Sequence, residues 1–121
     1  MELDYLTEKE GELSTYYQEK HLLIADRKVS KQILRIERWV EEAEDYRELV
    51  KRLEVKPLDP KTGLKEIKLD RIRVLHFWEY GNVIVFLGVF LKKTQETPPR
   101  IIEENNKRIE KYKALKGQKD D

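Results

Sequence analysis

The spacing of apolar residues changes partway along the chain, and this change constrains the fold more than any other feature. Between Val29 and Leu53 apolar residues recur every three or four positions, which is typical of one face of a helix. From residue 64 the spacing shortens to two in "LKEIKLDRIRVLHFW", and "VIVFLGVFL" is apolar throughout. Both stretches are rich in β-branched and aromatic residues, which favour extended backbone. The sequence therefore predicts helices followed by a sheet.

Three strands are predicted, at 64–69, 71–78 and 83–91, and we expect them to form an antiparallel meander. The "EYGN" stretch is a turn signal between the last two, since glycine and asparagine both tolerate positive φ. The last strand is apolar on both faces, so it is either central and covered on both sides or pairs with a partner chain. Two prolines and a glycine in 55–63 predict a loop before the first strand.

The helical stripe predicts a helix over 27–54 that can break near Tyr46, with Asp26 as its N-cap, because a carboxylate accepts hydrogen bonds from unpaired backbone N–H groups. Upstream, "LDYL" is compatible with a short edge strand and residues 13–24 with a helix. Glutamates between the apolar positions of the long helix are expected to face water.

The C-terminal stretch predicts a second well-defined helix. Thr97 is expected to cap it, Pro98 suits the first helical position, and Gly117 can end it. We therefore predict one α+β domain over 1–121, in which N-terminal helices pack on a small twisted antiparallel sheet and a C-terminal helix follows. Residues 116–121 are expected to form a frayed tail.

Composition narrows the class of protein. The chain has 121 residues, of which 39% are apolar, enough for one modest core. It has no cysteine, which excludes disulfides and thiolate metal sites. His21 and His76 do not form a zinc motif, and we expect no metal or cofactor. No apolar run is long enough to cross a membrane and the first residues are too acidic for a secretory signal, so we expect a cytoplasmic protein.

Charge is distributed unevenly along the chain. Residues 1–60 carry 11 Lys+Arg against 15 Asp+Glu, and residues 61–121 carry 14 against 9. The basic half is where an anionic partner such as nucleic acid would bind. Its cations fall on or beside the predicted strands, where neighbouring strands can bring them to one phosphate: Lys65, Lys68, Arg71, Arg73, Lys92 and Lys93. The alternative is an ordinary exposed sheet face, on which lysines block edge pairing.

The stretch "GLKEIKLDRIRVLHFWEYGNVIVFLGVFLKKTQETP" resembles the phage-derived, HigB-like branch of the RelE/ParE toxin superfamily. Three motifs carry the resemblance, and their residues here are Gly63, Leu64, Glu66 and Ile67; Arg73, Val74, His76 and Phe77; and Phe90, Lys92, Lys93, Thr94, Gln95, Thr97 and Pro98. Two positions depart from the family's pattern. Lys68 stands where an arginine is usual, and Leu87 precedes Gly88 where a histidine is frequent.

The resemblance implies the toxin of a type II toxin–antitoxin system, with a cognate antitoxin as partner. It implies a metal-independent endoribonuclease that cuts messenger RNA, commonly on the ribosome, by attack of the 2′-OH on the adjacent phosphate. Arg73 and Lys68 are then candidates for a phosphate clamp, with Lys92 and Lys93 at the substrate backbone or the transition state. The remaining candidates are Glu66 or His76 as general base and Lys65, Arg71 and Thr94 as RNA-binding residues.

Two other functions remain open within the same superfamily. Members related to ParE bind and poison DNA gyrase without cutting RNA. An inactive relative would still bind an antitoxin or RNA, and the replacement of a fork-shaped guanidinium by the point charge of Lys68 leaves that alternative open.

Overall fold

One sheet of five strands organises the residues that the computed structural model describes, 1–79 and 81–120, with side chains up to residue 117. The strands lie in the order β1-β5-β4-β3-β2. In chain order the elements are β1 (Glu2–Tyr5), α1 (Thr15–Leu23), α2 (Arg27–Glu42), α3 (Tyr46–Arg52), β2 (Glu54–Asp59), β3 (Leu64–Leu69), β4 (Ile72–Glu79), β5 (Val83–Leu91) and α4 (Pro99–Asp120).

The predicted meander is confirmed as β3, β4 and β5, which pair antiparallel. Gly81 and Asn82 have φ of +81° and +62°, as the turn requires, while Tyr80 of the same turn lies outside the described residues. Strand β5 has strands on both sides and buried residues on both faces, as its continuous apolar sequence predicts.

A strand precedes the helices, so the prediction of helices first and a purely antiparallel sheet is wrong. The "LDYL" stretch does form an edge strand, β1, but it pairs parallel with β5, from Glu2 opposite Val83 to Tyr5 opposite Phe86. The sheet is therefore mixed. A parallel pair needs a long crossover connection, and everything between β1 and β5 serves as that connection.

The prediction of a helix to residue 54 and a loop over 55–63 is also wrong. The helix breaks near Tyr46, as the sequence allows: α2 ends at Glu42, and Asp45 caps α3 by accepting from the Glu48 N–H at 2.8 Å. Strand β2 then occupies much of the predicted loop. It lies at the sheet edge, where Pro57 is tolerated because an edge strand leaves one row of N–H groups unpaired, and the pairing register shifts there.

Helix α4 is confirmed with different ends. Its first residue is Pro99, because the Pro98 carbonyl already accepts from the Ile101 and Ile102 N–H groups. It continues through Gly117 to Asp120, so that glycine does not end the helix. The predicted frayed tail stays a prediction, and Asp121 lies outside the described residues.

Two apolar clusters cover the two faces of the sheet. On one face, α2 buries Ile33, Ile36 and Val40 against Ile67, Ile72, Val74, Ile84 and Phe86. We call this the α2 face. On the other, α4 buries Ile109 and Tyr112 against Leu64, Leu75, Phe77, Val85 and Leu87, and we call this the α4 face. No helix among the described residues is long and apolar enough to cross a membrane.

Candidate functional site

Strand alternation divides the predicted site residues between the two faces. Lys68 lies opposite Arg73 in the β3–β4 ladder, and Glu66 lies two residues before Lys68. Residues two apart in a strand share a face, so these three side chains lie on the α4 face. Lys65 pairs with His76, and both belong to the α2 face. The structure therefore brings three of the predicted residues together and places two others behind them.

Arg73 and Glu66 form a buried pair on the α4 face. Their side chains are 4% and 3% exposed, and Arg73 Nε lies 3.9 Å from Glu66 Oε1. The Arg73 guanidinium also donates through Nη1 to the carbonyls of Asp70 at 2.7 Å and Ile72 at 2.9 Å. A buried charge requires such partners, because an unpaired one loses its hydration without compensation. In this structure the arginine is bound by the chain itself.

The segment between β5 and α4 lies over this pair. The Thr97 hydroxyl donates to Glu66 Oε2 at 2.5 Å, which is the short geometry of a charge-assisted bond. Thr97 therefore does not cap α4 as the sequence predicts. Its hydroxyl instead ties residues 92–98 to the sheet. The residue was detectable from sequence only through the "KKTQETP" motif, since its partner is 31 positions away.

Lysines of the predicted site lie around the buried pair. Lys68 is partly exposed, and its Nζ is 3.6 Å from Glu54 Oε1 of β2. The Lys92 N–H donates to the Arg71 carbonyl at 2.7 Å, which extends the β4–β5 pairing just beyond Leu91. Lys92 is half-buried. Lys93, Thr94 and Arg71 are exposed, and the Thr94 hydroxyl donates to the Glu96 carbonyl.

His76 lies on the α2 face, away from Glu66. It is fully buried; its Nε2 is 2.9 Å from the Tyr46 hydroxyl and its Nδ1 is 3.3 Å from the Val74 carbonyl. The pKa of His76 is lowered to about 4: burial is the main cause and the positive charge of Lys65 adds to it, while the bond to Val74 opposes the shift. The imidazole is therefore neutral at pH 7.

Lys65 and Tyr46 complete the environment of His76. The Lys65 Nζ lies 5.0 Å from the centre of the Tyr46 ring, and Tyr46 stacks on the half-exposed Trp78 at 5.9 Å. Desolvation raises the pKa of Tyr46, so its phenol keeps its proton. Sequence reasoning missed Tyr46 as the partner of His76, because nothing local signals a contact across 30 residues.

The α4 face thus holds a buried carboxylate–guanidinium pair covered by Thr97, with Lys68 on the same face. The Lys68 ammonium pairs with Glu54 of the neighbouring edge strand. Within the described residues no group of three His, Cys, Asp or Glu side chains could hold a metal ion. We call Glu66, Lys68, Arg73, Lys92 and Thr97 the candidate site.

A protein-family model matches most of the chain. The model described as "Phage derived protein Gp49-like (DUF891)" matches residues 20–110, which include α2, α3, the strands β2 to β5 and every residue of the candidate site. No curated protein matches the chain.

Proposed function

We propose, from the premise that the chain belongs to the phage-derived Gp49-like family, that it is a toxin that cuts messenger RNA. This family is of the RelE toxin type, and membership implies a cognate antitoxin as partner. Beyond family membership, we propose that the protein cleaves RNA, that it acts on the ribosome, and that individual residues have the roles given below.

The observation that carries the proposal is the Glu66–Arg73 pair beneath a lysine-bearing segment. Cleavage without a metal needs a proton acceptor for the 2′-OH and cations for the charge that develops at phosphorus. Glu66 is the proposed acceptor. Lys68 and Lys92 are the proposed phosphate contacts, with the exposed Lys93 and Arg71 binding the flanking backbone.

Burial changes the role that we propose for Arg73. Its guanidinium is paired with Glu66 and with two backbone carbonyls, so we assign it as a positioning residue that orients the Glu66 carboxylate. His76 is not part of the proposed chemistry, because it is buried on the other face with Tyr46 as its partner.

Access to Glu66 requires movement of residues 92–98. The Glu66 side chain is 3% exposed and its Oε2 is occupied by the Thr97 hydroxyl, so RNA can reach it only after Thr97 is displaced. The proposed sequence is release of Thr97, entry of the backbone beside Lys68 and Lys92, and transfer of the 2′-OH proton to Glu66. The 2′-oxygen then bonds to phosphorus, the bond to the 5′-oxygen breaks, and that oxygen takes a proton from solvent.

The test is induction of the chain in cells with and without its neighbouring gene, followed by mapping of messenger RNA ends. We expect growth arrest, new RNA ends carrying a 2′,3′-cyclic phosphate, and rescue by the neighbouring gene. Glu66→Gln and Lys68→Ala should each reduce cleavage by ~10²-fold or more, the usual scale for losing a catalytic acid–base group or a charge-stabilising donor. Lys65→Ala is the matched control, since it removes the same charge from the opposite face.

Two outcomes would contradict the proposal. Arrest of DNA replication before any change in RNA would identify a gyrase-poisoning toxin instead. Full cleavage by folded Glu66→Gln and Lys68→Ala proteins would remove the candidate site from the mechanism.

A further inference from the structure

The outer surface of α2 carries a continuous stripe of cations. Arg27, Lys31, Arg35 and Arg38 follow one another at spacings of four, four and three residues, which places them on one side of a helix. All four are exposed. The opposite side of α2 is buried against the sheet, so the stripe points away from it. We call these four residues the α2 basic face.

Nothing in the described part of the chain neutralises this face. None of its four cations forms an ion pair there, whereas the neighbouring Lys28 pairs with Asp70 at 3.6 Å. Of the carboxylates of α2, Glu37 does not face water as predicted, because it is buried and bound to Lys20 and Tyr16. Glu41 and Glu42 stand only at the C-terminal end. The four cations therefore span about 16 Å of helix, with carboxylates only beside the Arg38 end.

A shallow groove of about 390 Å³ runs along the same face. Its walls are Lys31, Leu34, Arg35, Arg38, Trp39 and Glu42. Three cations and one carboxylate leave the groove positive, and the exposed Leu34 and half-buried Trp39 supply the apolar part of its wall. A stable protein interface needs a larger apolar core than these two side chains supply, whereas binding to a phosphate backbone needs cations and little else.

We propose that the α2 basic face binds the phosphate backbone of RNA, as a second surface separate from the candidate site. Three of its four cations are arginines, whose planar donor forks match phosphate oxygens. The face and the Glu66–Arg73 pair lie on opposite sides of the sheet. An RNA held on α2 therefore does not occupy the candidate site. The proposal rests on the proposed function only in that RNA is the common ligand.

The experiment measures RNA affinity against salt with the full chain. The probe is a single-stranded 2′-O-methyl RNA of about 20 nucleotides, which cannot be cut by 2′-OH attack. The logarithm of the association constant falls as the logarithm of the salt concentration rises, and each phosphate contact steepens that slope by about 0.7 for a single strand. Arg35→Gln/Arg38→Gln should therefore make this negative slope shallower by about 1.4 and weaken binding roughly 25-fold at 0.1 M salt. Glutamine preserves helix propensity, and circular dichroism checks the fold.

The matched control is Lys9→Gln/Lys107→Gln, which removes two exposed cations elsewhere. We expect it to leave the slope within about 0.3 of the parent protein. An unchanged salt slope in the α2 variant would overturn the proposal, and so would an equal loss of slope and RNA affinity in both variants. So would an α2 variant that binds RNA normally but no longer binds its antitoxin, because the face would then belong to a protein interface.

A separate measurement of RNA cleavage distinguishes failure of the nuclease proposal from failure of the α2 proposal. Cleavage of unmodified RNA is measured for the parent protein under the same conditions. Absence of cleavage with the expected loss of slope would reject the nuclease and retain the α2 basic face. Cleavage by the parent protein with an unchanged salt slope in the α2 variant would retain the nuclease and reject the α2 basic face as an RNA-binding surface.

Discussion

Arg73 and Glu66 face each other diagonally across β4 and β3, with 3.9 Å between Nε and Oε1 and almost no exposure to solvent. Such a pair is costly to break, because removing one partner leaves the other charge buried and uncompensated. Replacing both by apolar residues removes that cost. The pair is therefore explained better by orientation of the Glu66 carboxylate than by a contribution to stability.

A double-mutant cycle tests this relationship. Arg73→Met should lower the free energy of unfolding by about 3–5 kcal/mol, since the Glu66 carboxylate loses its charged partner. The double variant Glu66→Leu/Arg73→Met should be less destabilised than Arg73→Met alone. Guanidinium denaturation measures these two variants and Glu66→Leu alone, which completes the cycle. As a control, Lys107→Met, in an exposed pair with Glu103, should change stability by less than about 1 kcal/mol. A fully additive cycle would show that the two side chains do not interact.

The Thr97 hydroxyl is predicted to hold residues 92–98 over the candidate site. Thr97→Val keeps the shape of the side chain and removes its donor to Glu66, which should cost about 1–3 kcal/mol because the carboxylate is buried. Hydrogen exchange in 92–98 should accelerate. Thr94→Val is the control, since the Thr94 hydroxyl bonds only within the segment and is exposed. Unchanged exchange in Thr97→Val would contradict a tethering role.

Stability should fall as the pH drops below the unfolded pKa of histidine because of His76. Its folded pKa is about 4, below the ordinary value of 6.5, so between these values the unfolded chain binds a proton that the folded chain does not. This contribution is fully present above pH 6.5 and is lost towards pH 4, by roughly 3 kcal/mol in all. Urea denaturation from pH 7 to 4 measures it.

The variant His76→Gln isolates that effect from titration of the carboxylates. Glutamine does not titrate, so the difference in stability between the parent and His76→Gln should narrow as the pH falls. His21→Gln, at an exposed position on α1, should keep the pH dependence of the parent. A parallel pH dependence for the parent and His76→Gln would refute the lowered pKa.

An added side chain at Gly88 is predicted to displace the side chains of Glu19 and Arg108. A Cβ there would contact Glu19 and lie 2.6 Å from Arg108 Nη1, which bonds to Glu19 at 2.7 Å and to the Leu87 carbonyl at 2.9 Å. Gly88→Ala should therefore separate this link between α1, β5 and α4 and lower stability by about 1–3 kcal/mol. Thermal unfolding followed by circular dichroism measures the loss.

Gly117→Ala is the matched contrast. A Cβ at this helical position meets no neighbouring atom, so alanine should stabilise the protein by up to about 1 kcal/mol through helix propensity. Equal effects of the two substitutions would show that the space around Gly88 is not limiting.

Patterns within the sequence predicted the elements whose evidence is local. The two-residue period identified β3, β4 and β5, and the glycine–asparagine turn placed the β4–β5 connection correctly. Sequence patterns did not identify β2, because its proline, Pro57, is usual in loops and is tolerated in a strand mainly when that strand lies at a sheet edge. It failed at Thr97 for a similar reason, since a threonine before two prolines fits a helix cap until a buried carboxylate competes for its hydroxyl.

The order of residues along the chain thus determined where helices and strands form, because backbone periodicity and turn chemistry act between near neighbours. It also determined that cations collect on the strands. Only the tertiary structure decided which of them meet: it paired β1 with β5, separated Lys65 from Lys68, and buried Arg73 against Glu66. The physical reason is that burial and pairing depend on contacts between distant segments, and a charged side chain becomes either a free surface group or a buried partner only when those segments close around it.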